Sequence, residues 1–181
     1  MKPMTTELTQ TFVREAFDYD PLTGIATWKT RPRHHFDTRH GWVTVNAKRA
    51  GKICGCTGRD EGLQIVLQGA PRKLHRMIWL WVYGETPPVI DHINGDRADN
   101  RLCNLRKAST SQNRQNSKKR AKASSNFKGV HWTPDRKPWR ARIKHNGHSY
   151  SLGIFSTEQD AHNAYCAKGR ELFGEFFNPG C

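Results

Sequence analysis

Residues 89–116 read VIDHINGDRADNRLCNLRKASTSQNRQN, and this stretch decides the fold of the central part of the chain. The apolar pair at 89–90 predicts a short strand that leads into Asp91 and His92. An Asn-Gly turn follows, and then come a second apolar strand and a short Ser-capped helix that carries Asn113. The order strand, loop, strand and helix can bring Asp91, His92 and Asn113 into one cleft.

These three side chains are of the types that metal-assisted hydrolysis of a phosphodiester needs. A neutral imidazole such as that of His92 can take a proton from water at physiological pH. Mg²⁺ prefers oxygen ligands and usually keeps water and substrate phosphate in its shell, and Asp91 and Asn113 offer a carboxylate and an amide oxygen. Asp-His pairs and Asn-Gly turns are common, however, so DHINGD taken alone also fits an ordinary turn.

The charge of the chain predicts a polyanionic partner. It has 30 Lys and Arg residues against 16 Asp and Glu residues, which gives a formal net charge of +14. Such a field attracts polyanions, and nucleic acid is the leading candidate because phosphate neutralisation supplies much of its binding free energy. A basic protein that is merely soluble has the same composition.

The sequence predicts neither a membrane protein nor a disulfide framework. The mean hydropathy is −0.82, no apolar stretch is long enough to span a bilayer, and the N-terminal residues lack an apolar signal region. The five Cys residues are odd in number and irregularly spaced. We therefore expect reduced thiols in a cytoplasmic protein.

The strings LHR, DHINGD, DNRLCNLR and SQNRQN, from about Leu74 to Asn116, resemble the HNH endonucleases of phages and intron homing enzymes. The resemblance implies a ββα-metal nuclease core over residues 71–116 that acts on double-stranded DNA with Mg²⁺, or with Mn²⁺ or another divalent cation. It also implies a phage-encoded protein in a bacterial host cell. In this resemblance Asp91 and Asn113 are metal ligands, His92 is the general base, and Asn104 braces the loop that positions the base.

The LHR string places two further residues beside this core. His75 recurs in this branch of the family, where it either touches the scissile phosphate or packs. Arg76 contacts either phosphate or the surface of the fold.

Many relatives carry paired CxxC motifs for a structural zinc ion, and this chain does not. Cys54 and Cys56 have the wrong spacing and no second pair, so we expect no structural zinc. Residues His34, His35 and His40 lie in a basic loop, where phosphate contacts or solvated side chains are expected rather than metal ligands.

The C-terminal part predicts a three-stranded antiparallel sheet followed by one helix. FKGVHW, WRARIKH and HSYSLGIF read as strands, and Thr157 begins a helix. Arg140, Arg142 and Lys144 alternate along the second strand and therefore share one face. Such a face suits DNA, although any half-covered sheet also turns charged residues outward.

Residues 126–181 resemble an AP2/ERF DNA-binding domain, in which a three-stranded sheet lies in the major groove. The resemblance departs from the plant pattern at His131, Ser149 and Ser151, which stand where Arg, Arg and Trp are usual. Together with the basic segments before it, this part supplies the predicted DNA-binding residues: Arg76, Arg114, Lys118, Lys119, Arg120, Lys128, Arg136, Trp139, Arg140, Arg142 and Lys144.

The chain is therefore expected to be an α+β protein with four parts. A leader with a short helix and strands covers residues 1–70 and contains FDYDPLTGIATWK, which is similar to the leader of phage HNH proteins; within it, residues 29–50 read as a loop with at most one strand. The core at 71–116, a basic linker at 117–125 and the AP2/ERF-like part at 126–181 follow.

The favoured function is a homing-type DNA endonuclease that cuts one strand or both. The alternative is a DNA-binding regulator that retains an inactive HNH fold. A protein that binds or cuts RNA is a third possibility, which the position of most aromatic residues in apolar runs disfavours. A monomer is expected, with a dimer as the alternative.

Overall fold

The computed structural model describes residues 8–58, 61–117, 124–134 and 138–180. The chain divides into two compact units, residues 1–107 and 108–181. The fold is mixed α/β with several small sheets, in agreement with the predicted class. Among the described residues, no helix is long and apolar enough to cross a membrane.

The first unit holds the leader and the strands on both sides of the central loop. In chain order its elements are α1 (Gln10–Ala16), β1 (Phe17–Tyr19), β2 (Ala26–Trp28), a 3-10 turn (Arg33–His35), α2 (Arg39–Arg49), β3 (Cys56–Thr57), β4 (Leu63–Leu67), β5 (Ala70–Lys73), α3 (Leu74–Tyr83), β6 (Val89–His92), a second 3-10 turn (Leu102–Asn104) and β7 (Leu105–Ala108). Strands pair as β1-β2, β3-β4-β5 and β6-β7.

Helix α3 is the centre of the first hydrophobic core. It is apolar on most sides, and five of its residues are buried: Leu74, Met77, Ile78, Trp79 and Leu80. Gly84 ends the helix in the left-handed conformation with φ +74°. One cluster of buried side chains runs from Val13 in α1 to Leu105 in β7, so the leader and the nuclease-like segment share a single core.

Residues 39–49 form a helix where the sequence predicts only a loop with, at most, a strand. The N-cap is Thr38, whose hydroxyl accepts from the backbone N–H of Gly41. None of the helix residues is buried, so no apolar periodicity signals a helix. The helix is held by polar contacts instead: Asn46 bonds both backbone groups of Arg31, and Trp42 donates its indole N–H to the Arg31 carbonyl.

The second unit contains the sheet and helix that the sequence predicts. Its elements are α4 (Thr110–Gln115), β8 (Val130–Trp132), β9 (Trp139–His145), β10 (His148–Phe155), α5 (Glu158–Phe173) and a 3-10 turn (Gly174–Phe176). The strand order is β10-β9-β8, and both pairs are antiparallel. Helix α5 covers one face, where Val130, Ala141 and Ile143 form a core with Ala161, Tyr165 and Cys166.

Helix α4 belongs to the second unit, whereas the sequence assigns it to the nuclease core. It begins with a capping box of Ser109 and Gln112. The side chain of Asn178 donates to the carbonyl of Asn116 at 3.0 Å, which ties the end of α4 to the C-terminal turn. The division into compact units thus lies before α4, whereas the predicted nuclease core extends to residue 116.

Gly24 generates a test of how tightly the leader packs on the central loop. It has φ +76°, and a Cβ there would lie 2.5 Å from the backbone N of Arg101 and 2.7 Å from the carbonyl carbon of Asn100. We expect Gly24→Ala to lower the free energy of unfolding by about 3 kcal/mol or more, because backbone strain adds to overpacking. Urea denaturation measures the change.

Gly51→Ala is the matched control. Gly51 has a similar φ of +78°, but a Cβ there would meet no atom within 4 Å, so only backbone strain of about 1 kcal/mol is expected. Equal losses of stability in the two variants would contradict the close packing of the leader on the loop at Gly24.

Candidate active site

Strand β6 ends in the Asp91-His92 pair, and both side chains are buried, at 4% and 6% exposure. Strand β7 lies beside β6, and the backbone N–H of Ile93 donates to the carbonyl of Asn104 at 2.9 Å. The two strands therefore hold both ends of the loop at 93–104, which is the segment that the sequence predicts to position the base.

Asn104 braces that loop with its side-chain amide. Its Oδ1 accepts from the backbone N–H of Asn94 at 3.0 Å. Its Nδ2 donates to Asn94 Oδ1 at 3.0 Å and to the Asp99 carbonyl at 2.8 Å. Asn104 is itself buried, so it is costly to leave these bonds unmade, and they fix the loop's conformation.

The acidic residues of the loop serve the loop itself. Asp96 accepts from the backbone N–H of Ala98 at 2.9 Å, as an Asx turn. Asp99 forms an ion pair with Arg101 at 2.7 Å, and hydrogen bonds from Arg101 hold the pKa of Asp99 at about 2. The ordinary-turn explanation of the DHINGD string thus applies to Asp96, while Asp91 lies in a different environment.

Asn100 orients the imidazole of His92, a role that the sequence pattern does not predict. Asn100 Oδ1 lies 3.2 Å from His92 Nε2, and Asn100 Nδ2 donates to the Ala98 carbonyl, which fixes the amide orientation. Since Oδ1 can only accept, Nε2 carries the proton and Nδ1 is the basic nitrogen. Burial lowers the pKa of His92, an effect that Asn100 opposes, so the ring is neutral at physiological pH.

Residues of the leader hold the loop in place through hydrogen bonds to Asn100 and Leu102. Asn100 is only 2% exposed, and its backbone carbonyl accepts from the hydroxyl of Tyr19 at 2.8 Å. The backbone N–H of Leu102 donates to the carbonyl of Pro21 at 3.0 Å. The recognisable leader string FDYDPLTG therefore has a structural role, since it holds the loop that holds His92.

Arg106 on β7 binds the predicted metal ligand Asp91, and the sequence pattern does not predict this contact either. Its Nε and Nη2 lie 3.0 and 2.9 Å from Asp91 Oδ2, and both side chains are largely buried. A guanidinium group here offsets the cost of burying the carboxylate. The same position, a buried carboxylate oxygen beside the base, fits a hard divalent cation by charge and by ligand chemistry.

His75 and Arg76 lie at the beginning of α3. The rings of His75 and His92 are in edge contact, with centroids 5.0 Å apart and an interplanar angle of 80°. Arg76 Nη1 donates to the carbonyl of Pro88 at 3.1 Å, so it caps the turn that leads into β6. The structure thus brings His75 to the predicted base, while phosphate contact by either residue stays a prediction.

Asn113 and Arg114 lie on α4 in the second unit. The pairing of Asn113 with Asp91 as a joint ligand set therefore stays a prediction from the resemblance.

Four of the predicted DNA-binding residues lie outside the described residues: Lys118, Lys119, Arg120 and Arg136.

The exposed face of β9 carries the cations that the sequence predicts there. Arg140, Arg142 and Lys144 are exposed, and the residues between them, Ala141 and Ile143, are buried. Trp139 is half-buried, with its ring in edge contact with Trp132 at 4.9 Å. The alternation gives one face to the solvent and the other to α5, as period-2 patterning requires.

The ammonium group of Lys128, a predicted DNA-binding residue, is engaged within the second unit, and its contact with DNA stays a prediction. Its Nζ donates to the carbonyls of Gln115, Ser117 and Asn178 at 2.5, 2.7 and 3.3 Å. Burial lowers its pKa to about 8. The alternation of side chains along the chain could not reveal three carbonyls supplied by other segments.

A second cluster of possible metal donors lies in the leader. Glu15 Oε2 is 3.0 Å from His34 Nε2 and 2.8 Å from His35 Nε2, and the three ligand atoms lie within 4.8 Å of one another. A hydrogen bond from His35 lowers the pKa of Glu15, so the carboxylate is ionised and engaged by its own histidines. His35 is buried, whereas the sequence predicts a phosphate contact or a solvated side chain.

Comparison with known proteins identifies one matching family model and two relatives. A family model described as HNH endonuclease matches residues 72–115. A protein of Acanthamoeba polyphaga mimivirus named as an uncharacterized HNH endonuclease is 34% identical over 110 residues, which cover 59% of this chain and 56% of that protein. This chain thus spans little more than half the length of that relative.

A second relative is covered almost completely. Protein 3.8 of Escherichia phage T7 is 31% identical over 109 residues, which cover 59% of this chain and 88% of that protein. No solved structure shows a significant match. Because the family match ends at residue 115, the AP2/ERF resemblance of residues 126–181 stays a prediction.

The Arg106–Asp91 ion pair generates a test of the cation site. Arg106→Gln removes the ion pair of a buried carboxylate, so we expect the free energy of unfolding to fall by about 3 kcal/mol in the presence of a chelator. Added Mg²⁺ or Mn²⁺ should raise the melting temperature of this variant by more than that of the wild type, since a cation bound to Asp91 restores the missing positive charge.

The double variant Asp91→Asn, Arg106→Gln is the control and should show no such response. A cation effect that persists in the double variant would place the cation away from Asp91. Wild-type stability of Arg106→Gln in chelator would show that the ion pair contributes little.

Proposed function

We propose that this chain is a metal-dependent endonuclease that hydrolyses phosphodiester bonds in double-stranded DNA, since its residues 72–115 match a family model described as HNH endonuclease. The observation that carries the proposal is the pair at the end of β6. A buried carboxylate, bound by Arg106 of β7, is followed by a neutral imidazole that contacts Asn100 of the loop closed by Asn104.

We assign the general base to His92. Its Nδ1 takes the proton of the attacking water, and Asn100 Oδ1 accepts from the Nε2–H on the far side of the ring. That hydrogen bond stabilises the imidazolium that forms, because an acceptor opposite a ring N–H favours the charged state. A positioned base of this kind contributes about 10²- to 10⁴-fold to the rate.

Asp91 and Asn113 are the residues that would hold the divalent cation. Carboxylate and amide oxygens fit Mg²⁺, with Mn²⁺ or another divalent cation as the alternative. When bound, such a cation stabilises charge on the phosphoryl and leaving oxygens. Within the first unit, Arg106 holds the Asp91 carboxylate in place through Oδ2.

The sheet of the second unit is proposed to position the duplex, as the AP2/ERF resemblance implies. On β9, Arg142 and Lys144 lie opposite Ser151 and Ser149 of β10 in the strand register. Two of the three cations on this strand thus have a small hydroxyl side chain opposite them, an arrangement that suits phosphate contact better than bidentate base readout. We therefore infer a homing-type enzyme with modest base specificity, which as a monomer cuts one strand per binding event.

The alternative function is a DNA-binding regulator with an inactive site. It is favoured by the Arg106 guanidinium, which already binds Asp91 Oδ2 with two nitrogens and so competes with a cation for that oxygen. The two functions differ in one observable property, since only the endonuclease breaks DNA strands.

A plasmid assay tests the nuclease. We expect the wild-type protein with Mg²⁺ to convert supercoiled plasmid to nicked or linear forms, and a chelator to stop the reaction. His92→Ala should be slower by about 10²- to 10⁴-fold because the base is lost. The rate of loss of the supercoiled form measures the effect.

The matched control is His40→Ala, which removes an exposed histidine of α2 and should cleave at the wild-type rate. If His92→Ala cleaves as fast as the wild type, the active-site assignment is wrong. If no protein cleaves but all bind DNA, the regulator is the correct function.

A salt titration tests the DNA-binding face. We expect Arg142→Ala to reduce the slope of log K against log salt concentration by about 1, because one phosphate contact is lost. Lys128→Met should leave the slope unchanged and instead lower stability by about 2 kcal/mol, because three carbonyls lose their donor. Equal slopes for Arg142→Ala and the wild type would exclude this face.

A further inference from the structure

The leader contains a half-open cavity of about 480 Å³ that the proposed reaction does not use. It lies within the first unit, and its wall includes Arg31, His34, His35, Thr38, Arg49 and Gln68. A cavity of this size accommodates a small ligand such as a phosphate with its attached sugar. The chemistry of the wall decides what kind of ligand it takes.

Arg31 is a buried cation. The faces of its guanidinium group contact aromatic rings, but its N–H donors have no acceptor among the described residues. It is 6% exposed, and its guanidinium carbon lies 4.9 Å from the centroid of Trp28 and 4.5 Å from that of Phe36. Stacking covers the faces of the guanidinium plane but leaves its N–H donors, which point outward in the plane. Among the described residues, none makes a hydrogen bond or an ion pair with this side chain.

Arg49 brings a second positive charge to the same place. Its guanidinium carbon lies 5.7 Å from the Trp28 centroid, so both arginines share one indole ring. Burial and the charge of Arg49 lower the pKa of Arg31. Two cations close together, one of them desolvated, destabilise the folded state unless an anion lies between them.

The acidic groups nearby do not supply that anion. Glu15 is engaged by His34 and His35. Asp37 is on the wall but is exposed, and no ion pair joins it to Arg31 or Arg49 within the described part of the chain. The two guanidinium groups also disfavour a cation in the same cavity, so the wall is selective for a negative ligand.

We propose that this cavity binds a phosphate group, and that the phosphate is one of the DNA backbone. The inference about DNA rests on the proposed function, whereas the preference for phosphate rests on the wall alone. The planar fork of Arg31 matches two phosphate oxygens, and Arg49 adds a second contact. The N-terminal turn of α2, which contributes Thr38 and Gly41 to the wall, adds the partial positive charge of a helix start.

The first experiment measures phosphate binding by thermal unfolding of the full chain. Arg31→Met keeps an unbranched side chain between Trp28 and Phe36 but removes the charge and the donors. We expect inorganic phosphate to raise the melting temperature of the wild type in a saturable manner and to have no such effect on Arg31→Met. Without phosphate, the variant should melt at the wild-type temperature or above it, because an unpaired buried charge is gone.

Two further variants separate binding from folding. Arg49→Gln removes an exposed side chain and should weaken the phosphate response, while the phosphate-free protein melts at the wild-type temperature or slightly above it because repulsion with Arg31 is relieved. Lys48→Gln removes the same charge from the neighbouring residue of α2, outside the cavity wall, and should keep the wild-type response. A response that is equal in all four proteins, or a phosphate-free Arg31→Met that melts well below the wild type, would overturn the proposal.

The second experiment distinguishes backbone phosphate from free phosphate. Duplex DNA affinity is measured across a salt series in the His92→Ala background, where cleavage does not interfere. We expect Arg31→Met to bind duplex DNA about tenfold more weakly near physiological salt. The slope of log K against log salt concentration should fall in magnitude by about 1. Loss of the phosphate response with unchanged DNA affinity would overturn the assignment to DNA and leave a site for free phosphate.

This design separates the two proposals. If the wild type cleaves no DNA but the phosphate response depends on Arg31, the nuclease proposal fails and the phosphate site stands. If cleavage depends on His92 while phosphate has no effect on any variant, the phosphate site fails and the nuclease stands.

Discussion

The side-chain amide of Asn104 is the contact on which the candidate active site depends. Its three hydrogen bonds close the loop between β6 and β7, and this closure places Asn100 against His92. β7, which follows Asn104 directly, places Arg106 against Asp91. A short two-stranded sheet has little intrinsic stability, so the positions of the base and the carboxylate are fixed by this buried polar network.

The leader, residues 1–70, also contacts this loop and helps to fix its position. Tyr19 binds the backbone of Asn100, and Gly24 allows the turn after β1 to lie directly on the loop. Both contacts rest on the core that α1 and α3 form together. The orientation of the base therefore depends on residues about 80 positions earlier in the chain, and the proposed phosphate cavity is built from the same leader.

The sequence predicts well what is encoded locally and poorly what distant segments supply. The strand before Asp91 and the alternation along β9 follow from short-range patterns, and the string match identifies His92. The roles of Asn100 and Arg106 could not be predicted, because a loop Asn and a strand Arg look like ordinary surface residues until the fold pairs them. Helix α2 buries no side chain, so it has no apolar pattern, and the carbonyls around Lys128 come from segments that the pattern of β8 does not contain.

Chemical rescue tests the central claim most directly. His92→Gly should cleave a linear duplex with Mg²⁺ about 10²- to 10⁴-fold more slowly than the wild type in single-turnover conditions, and added imidazole should restore part of that rate. Asp91→Asn should be slow with and without imidazole, because it lacks a cation ligand instead of a base. Cleavage by His92→Gly at the wild-type rate without imidazole would contradict the assignment of His92 as the base.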